Sequence, residues 1–167
     1  MLTRSPPDPD DALRLDHQLC FALYAASLAM TKRYKPLLHA LGLTYPQYLV
    51  MLVLWEHDGP AVSELGARLH LDSGTLTPLL KRLEAAGWLS RERDPTDERR
   101  VRVRLSDAGH ALKVRARAVP IGLLDAMRCP PDEALALTRQ VQALRDRLSH
   151  EPNQAPISPT GPSMGLS

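Results

Sequence analysis

The chain has 167 residues, 44% of them hydrophobic and 24% charged, a mix that suits one soluble globular domain with tails. Its 21 Lys and Arg against 19 Asp and Glu leave a net charge of only +2, so any nucleic-acid contact must come from a local basic patch. The longest apolar run, Tyr48 to Trp55, is too short to cross a bilayer, and MLTRSPPDPDD at the N-terminus lacks the apolar stretch of a secretory signal; two cysteines then make no disulfide scaffold and point to a cytoplasmic protein without a membrane partner.

Pro6, Pro7 and Pro9 crowd residues 1–11, and Pro152, Pro156, Pro159 and Pro162 crowd residues 151–167. Neither end has apolar periodicity, so both are expected to be flexible tails around a folded part over about 12–150. A first helix is predicted from about Asp10 to Leu41, with Leu15, Leu19, Ala22, Ala26, Met30 and Leu37 at helical spacing and Gly42 as the stop. The next starts at Thr44. Thr44 and Gln47 form a capping-box pattern, and Pro46 lies in the first turn. Its middle is apolar all round, as in a buried central helix.

A short helix over Val62 to Leu69 is followed, after a turn at His70-Leu71-Asp72, by another reaching about Ala86, with Gly87 as its stop. Asp72 is its expected cap, with Thr75 three residues on. Leu76, Leu79, Leu80 and Leu83 share one face, and Gly74, Thr75, Thr77, Pro78, Lys81 and Arg82 lie opposite. That pair reads as a helix-turn-helix. From Arg100 to Ser106 polar and apolar residues alternate strictly, predicting a half-buried strand. Trp88 to Arg93 is its expected partner, joined through the turn-rich loop 94–99. Ser106 is placed to cap a helix reaching about Met127 with a kink at Pro120, and Pro130-Pro131-Asp132-Glu133 opens a last helix striped by Leu137, Val141, Leu144 and Leu148. The fold class is therefore mainly α (α+β), a winged helix over about 44–106 flanked by helices over about 12–41 and 107–150.

A recognition helix must enter a groove about 12 Å wide. Small side chains at its start, Ser73, Gly74, Thr75 and Thr77, permit that approach, and Lys81 and Arg82 further along suit backbone phosphates. Arg99, beside Arg100, stands near the tip of the hairpin, where an Arg can enter a minor groove. Asp97 cannot attract DNA by charge and is expected to orient the Arg99 guanidinium. A solvated helix face and an arginine-rich edge that blocks strand pairing explain the same residues singly. Their order, helix-turn-helix then basic wing, favours double-stranded DNA as partner.

The stretch VSELGARLHLDSGTLTPLLKRLEAAGWLSRERDPTDERRVRVRLSDAG resembles the winged-helix core of MarR-type bacterial transcription regulators, and Asp97, Arg99, Arg100, Leu105 and Ser106 match that family's wing. The resemblance covers about residues 13–149. It implies a homodimer built from the N- and C-terminal helices, an inverted-repeat operator, a recognition helix over Asp72–Ala86 and a wing Arg at Arg99. Repression is the sign of regulation it implies. Ala61 departs from the pattern, because a hydroxyl cap is usual there.

Cys20 and Cys129 read first as small hydrophobes. LDHQLCFALYAAS followed by KRYKPLLHALGLTYPQY, however, resembles the organic-hydroperoxide-sensing branch of the family. That resemblance implies a peroxide-reactive thiol at Cys20, hydrogen-bonded by Tyr34 and Tyr45, and a second thiol at Cys129 that resolves the oxidised sulfur as an intersubunit disulfide. Organic hydroperoxide is then the inducer. Tyr34 lies fourteen residues after Cys20, about 21 Å along a straight helix, so a Tyr34 that touches a Cys20 touches that of the partner subunit. His17, one turn before Cys20, reads as a solvated helix residue. Leu19, Phe21, Leu23, Val50, Met51 and Trp55 either line an apolar approach to Cys20 or are ordinary core.

Three other readings stand beside this one: a repressor released by a small aromatic acid without thiol chemistry, a thiol peroxidase, and a winged helix used for protein contact. No peroxidase, Walker or Ser-His-Asp pattern is present, so no enzyme is expected. The six His are scattered without ligand spacing, so neither a metal nor another cofactor is expected.

Overall fold

The structure is a computed structural model and describes residues 9–150. The expected tails, apart from 9–11, lie outside the described residues. Helices α1 (Leu19–His39), α2 (Tyr45–Glu56), α3 (Val62–Leu69) and α4 (Ser73–Ala85) are followed by strands β1 (Leu89–Arg93) and β2 (Val101–Leu105), then α5 (Asp107–Ala116), α6 (Ala118–Met127) and α7 (Pro131–His150). The chain divides after Met127, and α7 belongs to the second unit. No helix among the described residues is long and apolar enough to cross a membrane.

Two expectations on helix length are corrected. The first helix does not run from Asp10. Residues Pro9–Leu13 and Leu15–His17 form tight 3-10 turns, and α1 opens only after Gln18. The Gln18 amide turns backwards, donating to the carbonyls of Ala12 (2.6 Å) and Arg14 (3.1 Å) and not capping α1. The helix expected from Ser106 to Met127 is two helices that part at Arg117. Pro120 has no N–H for the Ala116 carbonyl and its ring crowds that oxygen, so the break falls one turn before the proline.

Other ends follow local chemistry. At α2, Gln47 Oε1 accepts from the Thr44 N–H (2.8 Å) and Thr44 Oγ1 from the Gln47 N–H (3.5 Å). At α3, Ala61 offers no hydroxyl, but Glu64 still accepts from the Ala61 N–H at 2.8 Å, so half of the box survives. The turn into α4 is tight: a Cβ on Gly66 would meet the Leu71 carbonyl oxygen at 2.9 Å.

Tyr48, Val50, Met51 and Leu54 of α2 form the centre of an aliphatic core with Leu38, Leu65, Leu76, Leu80, Leu83 and Val103. Each such side chain contributes about 1.5–3 kcal/mol on leaving water. Strands β1 and β2 pair antiparallel from Leu89↔Leu105 to Arg93↔Val101, and the segment before α3 joins their edge through Ala61↔Arg102. The wing is thus stitched to the helix-turn-helix by backbone as well as by core.

Much of the apolar surface remains outside this core. Along α1, Leu19, Phe21, Leu23, Tyr24, Leu28 and Met30 are exposed. In α7, described by itself, Leu137, Val141 and Leu148 are exposed and Leu144 is half-buried, so most of the predicted stripe is open.

Candidate functional site

Helix α4 presents one buried and one open face. Leu76, Leu79, Leu80 and Leu83 are buried, whereas Ser73, Gly74, Thr75, Thr77, Pro78, Lys81 and Arg82 are exposed. Asp72 sits at the N-cap with its carboxylate already occupied: Oδ1 accepts from the Thr75 N–H and Oδ2 from the Thr75 hydroxyl, both at 2.9 Å. Those bonds, the Thr75 N–H first, hold its carboxyl below the usual range. Asp72 therefore starts the helix and takes up the Thr75 N–H and hydroxyl hydrogen, while Ser73 and Thr77 remain exposed.

The wing lies against this face. Arg99, Arg100, Arg91 and Val101 line a cleft of about 280 Å3 together with Thr77 of α4 and Ser63 of α3. Most wing arginines are held by carboxylates. Arg91 forks onto Glu84 at 2.6 and 2.9 Å, Arg100 reaches Glu64 at 2.7 Å, and Arg102 reaches Asp94 at 2.6 Å. Arg99 is exposed and has no carboxylate partner among the described residues.

The expected role of Asp97 is corrected. Its Oδ1 accepts from the backbone N–H of Arg99 (3.1 Å), not from the guanidinium. A carboxylate two residues before an amide reaches it within one turn, whereas the long Arg side chain projects away from that turn. Asp97 shapes the loop and leaves the Arg99 head group free. Glu64, Glu84 and Asp94 were absent from the expected site. Each is an acid among basic neighbours, and only the fold shows which arginine each one holds.

The thiols and tyrosines fall into separate places. Cys20 is exposed in the first turn of α1, the end at which a helix favours negative charge. Tyr34 lies on the same helix and is half-buried. Its ring centroid is 4.7 Å from that of Tyr45 and 6.0 Å from that of Tyr48, which in turn is 6.3 Å from Trp55. Tyr48 is a third phenol that sequence reading assigned only to the apolar run. Burial, then the neighbouring phenols, pushes the Tyr34 hydroxyl up to about 12, so it keeps its proton at neutral pH and can donate. Tyr45, with Leu28, Leu38 and Leu43, lines an open, largely apolar groove of about 510 Å3 between α1 and the start of α2.

The expected apolar approach to Cys20 is only half present. Leu19, Phe21 and Leu23 are exposed near it, but Val50 and Met51 are fully buried core and Trp55 spends its Nε1–H on the Gly109 carbonyl (2.9 Å). His17 belongs to the 3-10 turn, not to the face of α1, and its ring nitrogen contacts the Asp11 carbonyl at 2.7 Å. Cys129 is half-exposed just before α7. Burial, then Glu133 and Asp132, pushes its thiol above the ordinary range.

Residues 32–115 match the family model described as transcriptional regulator SarA/Rot. The chain is 52% identical over 141 residues to the HTH-type transcriptional regulator TtmR of Methylorubrum extorquens (strain PA1), covering 83% of this chain and 71% of that one. It is 45% identical over 143 residues to the organic hydroperoxide resistance transcriptional regulator of Bacillus subtilis (strain 168), covering 86% and 97%. Among solved structures, reduced AbfR bound to DNA, a protein of Staphylococcus epidermidis, superposes with a TM-score of 0.70 at 35% identity, covering 86% of this chain and 98% of that one. The disulfide form of AbfR superposes with a TM-score of 0.57 at 37% identity, covering 81% and 95%. With a matching family model, a two-stranded wing behind a helix-turn-helix, and relatives of this identity along most of its length, the chain belongs to the MarR/SarA family of winged-helix transcription regulators, which are not enzymes.

Proposed function

We propose that this chain is a cytoplasmic, homodimeric DNA-binding repressor that releases an inverted-repeat operator when an organic hydroperoxide oxidises Cys20. One observation carries the reading: an exposed cysteine opens the same helix that, about 21 Å further along, holds half of a tyrosine pair it cannot itself reach. A second subunit supplies the missing proximity. The exposed apolar residues of α1 and the mostly open stripe of α7 are the surfaces such a dimer would bury. The likeness to a regulator named for organic hydroperoxide resistance, and to one solved on DNA and with a disulfide formed, supports the same reading.

DNA contact falls to the open face of α4, with Ser73, Gly74, Thr75, Thr77 and Pro78 toward bases and Lys81 and Arg82 toward phosphates, and to Arg99 of the wing. The redox step balances simply. The Cys20 thiolate attacks the terminal oxygen of ROOH, the O–O bond breaks, and RO⁻ leaves to take up a proton as ROH. Cys20 becomes a sulfenic acid. The Cys129 thiolate of the partner subunit then attacks that sulfur and displaces hydroxide, which leaves as water once protonated. Tyr34 and Tyr45 donate hydrogen bonds to the thiolate. The new S–S bond draws two helix ends together and turns the DNA-reading heads out of register.

Brief treatment with cumene hydroperoxide followed by non-reducing electrophoresis tests this. Wild type runs as a covalent dimer and loses DNA in a gel shift. Cys129→Ser stays monomeric on the gel, and Cys20→Ser neither cross-links nor releases DNA. A second reading has its own observation: a cavity of about 250 Å3 lined by Tyr48, Leu52 and Trp55, where Lys113 and Arg117 outnumber the one carboxylate of Glu56, offers apolar walls and cations to a small aromatic acid. Release of DNA by such an acid from the Cys20→Ser variant would favour that reading and sink the thiol mechanism.

A further inference from the structure

Asp94 is the one buried charged side chain among the described residues, at 2% exposure. It follows β1 directly, where the hairpin loop begins. Oδ1 accepts from the Thr96 N–H (2.9 Å) and the Thr96 hydroxyl (2.6 Å), and Oδ2 accepts from Arg102 Nε on β2 (2.6 Å). The Asp94 N–H donates across the loop mouth to the Arg100 carbonyl at 2.8 Å. Arg102 then passes the connection on, because its Nη1 donates to the Gly59 carbonyl, in the turn that leads into α3, at 3.0 Å.

A carboxylate beside a DNA-facing loop repels phosphate unless its charge is cancelled. Here it is buried, fully hydrogen-bonded and paired with a cation, so it can neither touch DNA nor project a strong field toward it. What it fixes is geometry. The loop it closes holds two successive turns: Asp94 holds Thr96, and Asp97 holds the Arg99 amide at 3.1 Å. Arg99, the wing-loop cation without a carboxylate partner among the described residues, projects from the second turn. Its backbone position is therefore set from Asp94 outward, and Arg102 ties that frame to the helix-turn-helix.

We propose that Asp94 is a positioning residue for DNA binding: with Thr96 and Arg102 it holds the wing loop so that Arg99 reaches the minor groove while α4 occupies the major groove. This rests on the DNA-binding reading above. It assigns Asp94 no contact with DNA, so its effect must pass through Arg99.

A double-mutant cycle on the full-length reduced protein tests it. The probe is a duplex selected by the wild-type protein from a random-sequence pool, and the readouts are anisotropy titration and thermal melting of every variant. Asp94→Asn and Arg99→Ala should each weaken binding by about tenfold. The double variant should bind no more weakly than Arg99→Ala alone, within about twofold. Should Asp94→Asn not fold, Thr96→Ala is cycled against Arg99→Ala in its place, with Thr96→Ser restoring affinity. Additive losses overturn the proposal, because Asp94 then acts elsewhere. A lowered melting point with unchanged affinity overturns it, because the role is then only structural. Arg99→Ala binding like wild type overturns it too. If wild type selects no duplex at all, the DNA-binding reading falls first and this proposal with it.

Discussion

Cys20 and Tyr34 stand on one helix, fourteen residues and about 21 Å apart along its axis, while Tyr34 has its ring 4.7 Å from that of Tyr45 on α2. A Tyr34 or Tyr45 that serves the thiol must come from another chain, whereas Tyr24, one turn after Cys20, lies on the same helix. Mixed dimers give the test. One subunit carries Cys20→Ser, and the other carries Tyr34→Phe with Tyr45→Phe. A cross-subunit site leaves one complete set, the second subunit's Cys20 with the first subunit's tyrosines. Its sulfenic acid should form at the wild-type rate per thiol. If the mixed dimer reacts as slowly as the Tyr34→Phe, Tyr45→Phe homodimer, the tyrosines do not act across the interface.

The tyrosine cluster also predicts an alkaline signature. Burial, then the Tyr45 and Tyr48 phenols, raises Tyr34 to about 12, whereas an unfolded tyrosine titrates near about 10. Between those values the unfolded chain has released a proton that the folded chain still holds. The contribution to stability is complete below pH 10 and is lost as pH rises toward 12. Tyrosinate absorbance should show a step near 12 that Tyr34→Phe removes, and the variant should lose less stability across that window. A wild-type titration finished near 10 would mean that Tyr34 is not buried in this way.

The helix-turn-helix and the wing were legible in the sequence because their signals are local. Thr44 with Gln47, Asp72 with Thr75 and Ser106 with Gly109 each satisfy a helix end within three residues, and the structure closes all three. The break before α1 was not legible. Leu15, Leu19 and Ala22 continue the helical period, and nothing marks Gln18 as the residue that turns back on Ala12 and Arg14. Tyr48 hid in a run of apolar neighbours, since its closeness to Tyr34 depends on how α1 crosses α2. Asp94 hid for the opposite reason: in a loop rich in charge, no local pattern says which carboxylate is the buried one.

Cys129 makes a kinetic prediction. Burial, then Glu133 and Asp132 in the first turn of α7, pushes its thiol up, so little of it is thiolate at neutral pH. Under the proposed chemistry the sulfenic acid on Cys20 then waits for Cys129. Disulfide formation should quicken with rising pH, and Glu133→Gln should speed it about two- to fivefold at neutral pH. Rapid quenching with an alkylating agent before non-reducing electrophoresis measures this. A rate indifferent to both pH and Glu133 would remove Cys129 thiolate from the slow step.

Gly109 gives the clearest stability prediction, because three elements converge on it. Its N–H donates to Ser106 Oγ at 3.0 Å, its carbonyl accepts from Trp55 Nε1 at 2.9 Å, and the Ser106 hydroxyl donates to the Gly87 carbonyl at 2.6 Å. This knot joins the central helix, the end of α4 and the base of the wing. A Cβ on Gly109 would lie 2.1 Å from the Trp88 carbonyl oxygen and 3.1 Å from Leu105 Cδ2. The first is a backbone atom, so no side-chain rotation relieves it. Gly109→Ala should therefore cost about 2–3 kcal/mol, more than the roughly 1 kcal/mol expected for losing the cap in Ser106→Ala. Because both substitutions loosen the same junction, the double variant should cost less than their sum. Urea unfolding followed by tryptophan fluorescence measures all three, with Trp55 and Trp88 on either side of the knot. A Gly109→Ala variant with the wild-type midpoint would mean that α5 does not press against Trp88, and that the wing is not braced on the central helix at this point.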